Sequence, residues 1–152
     1  MSFNTANGTR GARQPKAGWL TNLFNNWSMR RARRKGGKVM GMDALVLTTL
    51  GRKSGEERST PVAWFPGGGD TWLIVASAAG APKNPAWYYN IAANPDRVQI
   101  ELEGRKVAVT AEQLHGADRD AAWKQITSAL PRFAKYELHT DREIPIIRLT
   151  PR

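Results

Sequence analysis

The apolar and polar positions along the chain predict an amphipathic helix near the amino end. Apolar residues recur at steps of one, three, one and three, which gathers them on one stripe of a helix: Trp19, Leu20, Leu23, Phe24 and Trp27. Asparagine and threonine occupy the opposite face. A basic run follows from Arg30 to Lys38, and the pair Gly36-Gly37 is expected to terminate the helix. Residues 1–16 are polar and aperiodic, which predicts a mobile tail.

The rest of the chain reads as short strands separated by glycine-containing turns. The strands are predicted at 44–50, 60–65, 71–77, 98–102, 106–110 and 144–149. Helical spacing recurs at 85–93, which Asn84 would cap, and at 118–130, which Pro131 interrupts. Six strands with two or three helices predict a mainly β, α+β fold, a small barrel with helical covers. Residues 1–40 would form the tail and helix, and residues 41–152 the barrel domain.

The amino-acid composition limits which kinds of functional site the chain can contain. A length of 152 residues with 41% hydrophobic residues is enough for one core. There is no Cys and there are only two His, so disulfides, thiolate metal sites and a His-rich metal centre are excluded, and no metal is expected.

The net charge of +10 is unevenly placed, because residues 1–40 hold nine basic residues and no acid. This predicts that residues 17–38 face a polyanion or an anionic membrane surface. No window approaches the roughly 18 apolar residues that a membrane-spanning helix needs.

Two loops carry candidate chemistry. The turn 51–55 and the strand after it combine three cations with three hydroxyl groups, a set suited to an anionic ligand: Arg52, Lys53, Ser54, Arg58, Ser59 and Thr60. A solvated hairpin turn is the alternative. The small residues of 77–85 would let a flat ligand approach the backbone, or they merely connect a strand to a helix. Trp87 and Tyr88, just beyond, fit either a core or a ligand contact.

Few residues are candidates for acid–base catalysis. Asp141 and Glu143 flank Arg142 and indicate a salt-bridged turn rather than a hydrolytic pair. His115 and His139 are each expected to be structural or solvated. A reaction here would therefore depend on a cofactor, and a hydride carrier fits because it supplies the reactive atom itself.

Three ordered segments resemble the deazaflavin (F420)-dependent nitroreductase family over residues 41–152: LTTLGRKSGEERSTPVAWF, VASAAGAPKNPAWYYNIAANP and TDREIPIIRLTP. The resemblance implies a split β-barrel similar to that of FMN-binding oxidoreductases. It also implies reduced coenzyme F420 as the hydride donor, and a quinone, enone or nitro compound as the acceptor.

The resemblance implies roles for individual residues. Arg52, Lys53, Ser54 and Arg58, with Ser59, would hold the phosphate and polyglutamate tail of the coenzyme. The walls around the deazaflavin would be Thr60, Pro61, Val62, Ala76, Ser77, Trp87 and Tyr88. Ala78, also a coenzyme-binding position, stands where relatives often carry a lysine, which weakens one phosphate contact. The acceptor would contact Ala63, Trp27, Leu130, Phe133 and Tyr136. Ser77 and Tyr136 are the catalytic candidates, donating a hydrogen bond or relaying a proton to the acceptor oxygen.

Several alternatives stay open from the sequence. The basic helix either lies on the anionic inner face of the cell membrane, where a cytoplasmic enzyme would meet a menaquinone-like acceptor, or it packs over the barrel as a lid. A nucleic-acid-binding module would explain the sequence pI of about 10.5. However, the excess charge precedes the barrel, so no nucleic-acid partner is expected. A protein that binds a flat anion or flavin without turnover is the remaining alternative.

Overall fold

The computed structural model describes residues 3–11, 19–34, 37–39 and 41–152, with side chains in the first helix described from residue 23 onward. This part of the chain contains four α-helices and seven strands. They are α1 Trp19–Arg33, β1 Lys38–Val39, β2 Met42–Leu50, β3 Glu57–Pro66, β4 Trp72–Val75, α2 Ala86–Ala93, β5 Val98–Leu102, β6 Arg105–Gln113, α3 Gly116–Ala129, α4 Arg132–His139 and β7 Ile146–Pro151. The predicted roles of the side chains of Trp19 and Leu20, and of Gly36 in ending α1, lie outside the described residues.

Six antiparallel strands close into a barrel in the order β2-β3-β4-β7-β6-β5. Closure comes from β2, which pairs with β3 on one side and with β5 on the other, in the register Val46↔Glu101 to Thr48↔Gln99. The two-residue strand β1 pairs with the start of β2. The prediction of a six-stranded split β-barrel with helical covers is confirmed.

The inside of the barrel is filled with aliphatic side chains. On β5, Val98, Ile100 and Leu102 point inward while the residues between them are more exposed, as the period of two requires. They pack with Leu45 and Leu149 in the main core cluster. A second cluster joins the barrel to α3 and α4. A barrel whose interior is occupied in this way leaves ligands to bind on its outside.

Two local features differ from the sequence prediction. The helix α4 was not predicted, because Pro131 was interpreted as an end of helix. In the structure Pro131 instead stands just before α4, with φ −58°, where its ring fits a helix start. Asn84 does not cap α2: Pro85 occupies the cap position, and the amide of Asn84 hydrogen-bonds elsewhere.

Residues 3–11 lie against the barrel, whereas the sequence predicts a mobile tail. The ring of Phe3 packs edge-on against Tyr88 with centroids 5.9 Å apart. The backbone N–H of Thr5 donates to the Tyr88 hydroxyl (3.1 Å), and Asn7 accepts from the backbone N–H of Asn84 (3.0 Å). The hydroxyl of Thr9 donates to the Asp141 carboxylate. Apart from the Phe3 ring contact, these are single polar pairings without periodicity, so the sequence carries no pattern that predicts them.

Asp141 makes this attachment dependent on pH. Hydrogen bonds from the Thr9 hydroxyl and from the backbone N–H groups of Arg10 and Thr9 lower the pKa of Asp141 from 3.8 to about 2. A depressed pKa means that the ionised form stabilises the folded state. That contribution is complete above the unfolded value of 3.8 and is lost as the pH falls through about 2.

We therefore expect Asp141→Asn to lower the free energy of unfolding at pH 5 and above, with a difference from wild type that shrinks between about pH 4 and pH 2. Urea unfolding at a series of pH values measures it. Asp120→Asn, at an exposed position on α3, is the matched control. A difference between wild type and the Asp141→Asn variant that stays constant over this range would contradict the assignment.

Candidate active site

A cationic groove runs between the β2–β3 turn and α2. It has a volume of about 540 Å³ and brings together all six candidates of the turn and the following strand. The lining residues are Thr49, Gly51, Arg52, Lys53, Ser54, Arg58, Ser59, Thr60, Ala86, Trp87 and Asn90. Three cations that converge on one groove raise the local concentration of anions, and their hydroxyl neighbours can donate to anionic oxygens.

Hydrogen bonds within the turn hold the cations in place. The N–H of Gly51 donates to the carbonyl of Glu56 (2.7 Å), and that of Gly55 to the carbonyl of Gly51 (2.8 Å). Gly55 has φ +72°, a left-handed conformation that glycine adopts without strain. The guanidinium of Arg58 lies 3.5 Å from the exposed Glu56 carboxylate, a weak pairing that an anionic ligand can replace.

Asn90 ties the turn to α2. Its side-chain oxygen accepts from the backbone N–H of Arg52 (3.0 Å), and its amide nitrogen lies 3.3 Å from the Thr49 hydroxyl. The guanidinium of Arg52 also stacks over the ring of Tyr89 at 4.8 Å. The sequence analysis missed Asn90 and Thr49 as groove residues. An asparagine within the otherwise apolar segment AWYYNIAA was the available signal.

An apolar pocket of about 210 Å³ adjoins the groove at Trp87. The half-buried Trp87 lines both cavities, and β3 passes from one to the other, with its residues 58–60 in the groove and 61–63 in the pocket. The pocket is lined by Met42, Pro61, Val62, Ala63, Val75, Ser77, Ala78, Ala79, Pro85, Trp87, Phe133 and Tyr136. Its polar side chains are the hydroxyl groups of Ser77 and Tyr136. The site thus offers a charged section, a flat apolar section and hydroxyl donors in two adjoining cavities.

Arg142 organises the loop that presents Ser77 to this pocket. It is 4% exposed. Its guanidinium donates to the carbonyls of Ala81 (3.2 Å), Ala76 (2.9 Å) and Ser77 (2.8 Å), and to the side-chain oxygen of Asn84 (2.6 Å). Burial lowers the pKa of Arg142, but the pKa of a guanidinium starts so high that the group stays charged. A buried cation with several acceptors fixes their positions tightly.

The predicted salt-bridged turn around Arg142 is wrong. Glu143 pairs instead with Arg119 at 3.1 Å, and Asp141 accepts from Thr9 and Arg10. The sequence could not show this, because it does not reveal which neighbouring charge turns inward.

The loop held by Arg142 has an uncommon backbone. Ala78 and Ala79 have φ +46° and +53°, the left-handed region in which residues with a Cβ are strained. Such a conformation persists only when surrounding contacts impose it. The hydrogen bonds from Arg142 on either side of these alanines are contacts of this kind, and they place Ser77 and Ala78 at the wall of the apolar pocket.

Four of the expected site residues line neither the groove nor the apolar pocket. Tyr88 is 1% exposed in the barrel core and donates to Gln113 (2.6 Å). Ala76 is completely buried in the same cluster, and Leu130 packs in the second cluster. Trp27 lies on α1, half exposed, with the guanidinium of Arg31 5.1 Å from its ring centroid. For Tyr88 the reason is its phase on α2, and for Ala76 it is the position directly after Val75 of β4, which lines the apolar pocket instead.

The two histidines lie at the ends of helices. His115 stands directly before α3 and His139 ends α4. Within residues 3–11, 19–34, 37–39 and 41–152, no three His, Asp or Glu side chains are grouped so that they could hold a metal ion.

Comparison with known proteins identifies the family of this chain. The model of the family described as F420H(2)-dependent quinone reductase matches residues 16–151. An F420H(2)-dependent quinone reductase of Mycobacterium tuberculosis is 38% identical over 112 residues, which are 72% of this chain and 74% of the relative.

Solved structures support the same family and fold. A structure described as an F420-H2 dependent reductase (FDR-A) is 36% identical, with a TM-score of 0.62, and the match covers 70% of this chain and 92% of that one. Campylobacter jejuni ChuZ, at 14% identity and a TM-score of 0.53 over 92% of this chain and 55% of its own, shares the fold alone. The chain belongs to the F420H(2)-dependent quinone reductase family and is an oxidoreductase that uses reduced coenzyme F420.

Proposed function

We propose that this protein binds the anionic tail of reduced coenzyme F420 in the cationic groove and reduces a quinone-like acceptor in the apolar pocket. The observation that carries the proposal is that the two cavities adjoin at Trp87 and along β3. The residues fit the coenzyme, because Arg52, Lys53 and Arg58 complement a phosphate and carboxylate chain. Pro61, Val62 and Trp87 would provide flat apolar surface for a ring system.

The coenzyme, when bound, supplies a hydride from C5 of its deazaflavin ring. The protein's part is to position the acceptor, exclude water and stabilise the charge that develops on the acceptor oxygen. The hydroxyl groups of Ser77 and Tyr136 would donate to that oxygen, and either can relay a proton. Arg142 contributes indirectly, since it holds the backbone of Ser77. Neither hydroxyl is indispensable, because solvent can complete the protonation.

Coenzyme binding is tested with the double variant Lys53→Ala/Arg58→Ala. Each charge-assisted contact contributes about 1.5–3 kcal/mol, but these side chains are exposed and screened, so we expect the Kd for coenzyme F420 to rise about 10- to 100-fold in total. The kcat at saturating coenzyme should change little. Fluorescence titration of the coenzyme measures the Kd.

Lys124→Ala, an exposed lysine on α3, is the control for loss of positive charge alone and should leave the Kd unchanged. If the double variant bound the coenzyme as tightly as wild type does, the groove would not be the binding site of the coenzyme tail.

The chemistry is tested by following oxidation of reduced coenzyme F420 with a menaquinone analogue as the acceptor. A well-placed donor to a developing oxyanion contributes about 100- to 1,000-fold. Since solvent can substitute here, we expect Ser77→Ala and Tyr136→Phe each to lower kcat by about tenfold, while the Kd for the coenzyme is retained. Wild-type rates in both variants and in their combination would show that these hydroxyl groups have no catalytic role.

We further propose that α1 contacts an anionic membrane, where a hydrophobic acceptor would dissolve, on the inner face of the cell membrane. The described residues include four exposed large hydrophobic side chains, and three of them lie on α1: Leu23 (55% exposed), Phe24 (47%) and Trp27 (50%). The exposed residues Arg30, Arg31, Arg33 and Arg34 follow directly. This pairing of apolar and basic residues is typical of interfacial helices.

The lid alternative is compatible with this proposal, because the other face of α1 packs on the barrel. Ala32 is completely buried and packs with Val39, Ala44 and Val46. No helix in the described part of the chain is long and apolar enough to cross a membrane. One helix can therefore cover the barrel with one face and present the other to a lipid surface.

Liposome flotation tests the membrane contact. We expect the double variant Leu23→Gln/Trp27→Gln to lose at least about tenfold in partitioning to vesicles with anionic lipid, since each buried apolar side chain contributes about 1.5–3 kcal/mol. Leu138→Gln is the matched control, because Leu138 is 75% exposed on α4, and its variant should float as wild type does. Equal flotation of the double variant and wild type would argue against α1 as the membrane contact.

A further inference from the structure

A second small cavity lies between α1 and the barrel, and we call it the helix pocket. It has a volume of about 190 Å³ and is lined by Phe24, Asn25, Ser28, Val39, Met42, Ala44, Pro61, Val62 and Ala63. Four of these residues, Met42, Pro61, Val62 and Ala63, also line the apolar pocket described above. The two cavities therefore lie next to each other and share these four lining residues.

Ser28 is the unusual residue of the helix pocket. It is 0% exposed, and its hydroxyl has no hydrogen-bond partner among the described residues. A buried polar group without a partner destabilises the folded state, so native proteins contain few of them. Within a helix a serine can donate to the carbonyl four residues before it, but this pairing is not made here. The hydroxyl thus remains as a donor in an otherwise largely apolar cavity.

We propose that Ser28 determines acceptor specificity by donating a hydrogen bond to the second carbonyl of a quinone. This inference rests on the proposed function, in which the acceptor occupies the apolar pocket. A quinone carries two carbonyl oxygens on opposite edges of a flat ring. One would meet Ser77 or Tyr136, and the other would extend past Ala63 toward Ser28. An enone has one carbonyl oxygen and cannot use both donors.

The hydrogen bond from Ser28 would change which acceptor binds more tightly rather than how fast a bound acceptor reacts. A site that donates a hydrogen bond to a ligand oxygen discriminates against ligands that lack this oxygen, because the donor is then left unpaired. Ser28 should therefore favour menadione over 2-cyclohexen-1-one through binding. Replacing Ser28 with alanine should also remove the unpaired hydroxyl from the free protein. The affinity for quinones and the stability of the protein should therefore change in opposite directions.

The test compares wild type with Ser28→Ala, using menadione and 2-cyclohexen-1-one as acceptors. We expect the KM for menadione to rise about tenfold, the loss of one neutral hydrogen bond of about 1.4 kcal/mol. The KM for 2-cyclohexen-1-one and the Kd for coenzyme F420 should change less than about twofold, and Tm should stay equal or rise. Ser128→Ala, at an exposed position on α3, controls for a serine-to-alanine change in a helix.

Two outcomes would overturn the proposal. Equal increases in KM for both acceptors would indicate general damage to the pocket. An unchanged KM for menadione in Ser28→Ala would mean that water or another protein group already pairs with the hydroxyl. If the Tm of this variant also fell, Ser28 would have a structural role.

Quenching of tryptophan fluorescence by menadione provides a Kd without turnover. A wild-type protein that oxidises no coenzyme but binds menadione more tightly than Ser28→Ala does would refute the proposed function while supporting the subsite.

Discussion

The structure depends on the pairing of β2 with both β3 and β5. Because these two ladders close the six strands into a barrel, no long strand edge is left open in the described part of the chain, and the interior fills with side chains such as Leu45 and Ile100. A ligand must therefore bind outside the barrel. The outer side of β3, the turn that leads into it and α2 supply that external site, and the same antiparallel ladder that closes the barrel sets which residues of β3 meet each cavity.

Positive charge falls into three separate groups in this molecule. At the groove, Arg52, Lys53 and Arg58 are exposed, so their charges are available to an anionic ligand. Arg142 is buried and its donors are used by loop carbonyls, which makes it part of the scaffold around Ser77. The arginines of α1 form a third group, at a surface that also exposes apolar side chains. Burial, rather than residue type, separates the scaffold role of Arg142 from the exposed charges of the groove and of α1.

Much of the fold and the charged half of the site could be predicted from the sequence. The turn 51–55 and the strand after it form one continuous segment, so their residues had to lie together once the hairpin formed. The wall of the apolar pocket was harder, because it joins β3, the loop after β4 and α4. Phe133 and Tyr136 reach it while Leu130 does not, and the difference arises from the helix start at Pro131.

Periodicity, glycine placement and charge are local properties, so the barrel, the cationic turn and the amphipathic character of α1 could be predicted from the chain alone. The folded arrangement was needed to show that Tyr88 belongs to the core, that Arg142 turns inward and that residues 3–11 lie on the barrel. It also left the Ser28 hydroxyl buried without a partner among the described residues. Such outcomes depend on which distant groups meet after the strands pair, and hydrogen bonds between residues far apart in the chain leave no periodic trace in it.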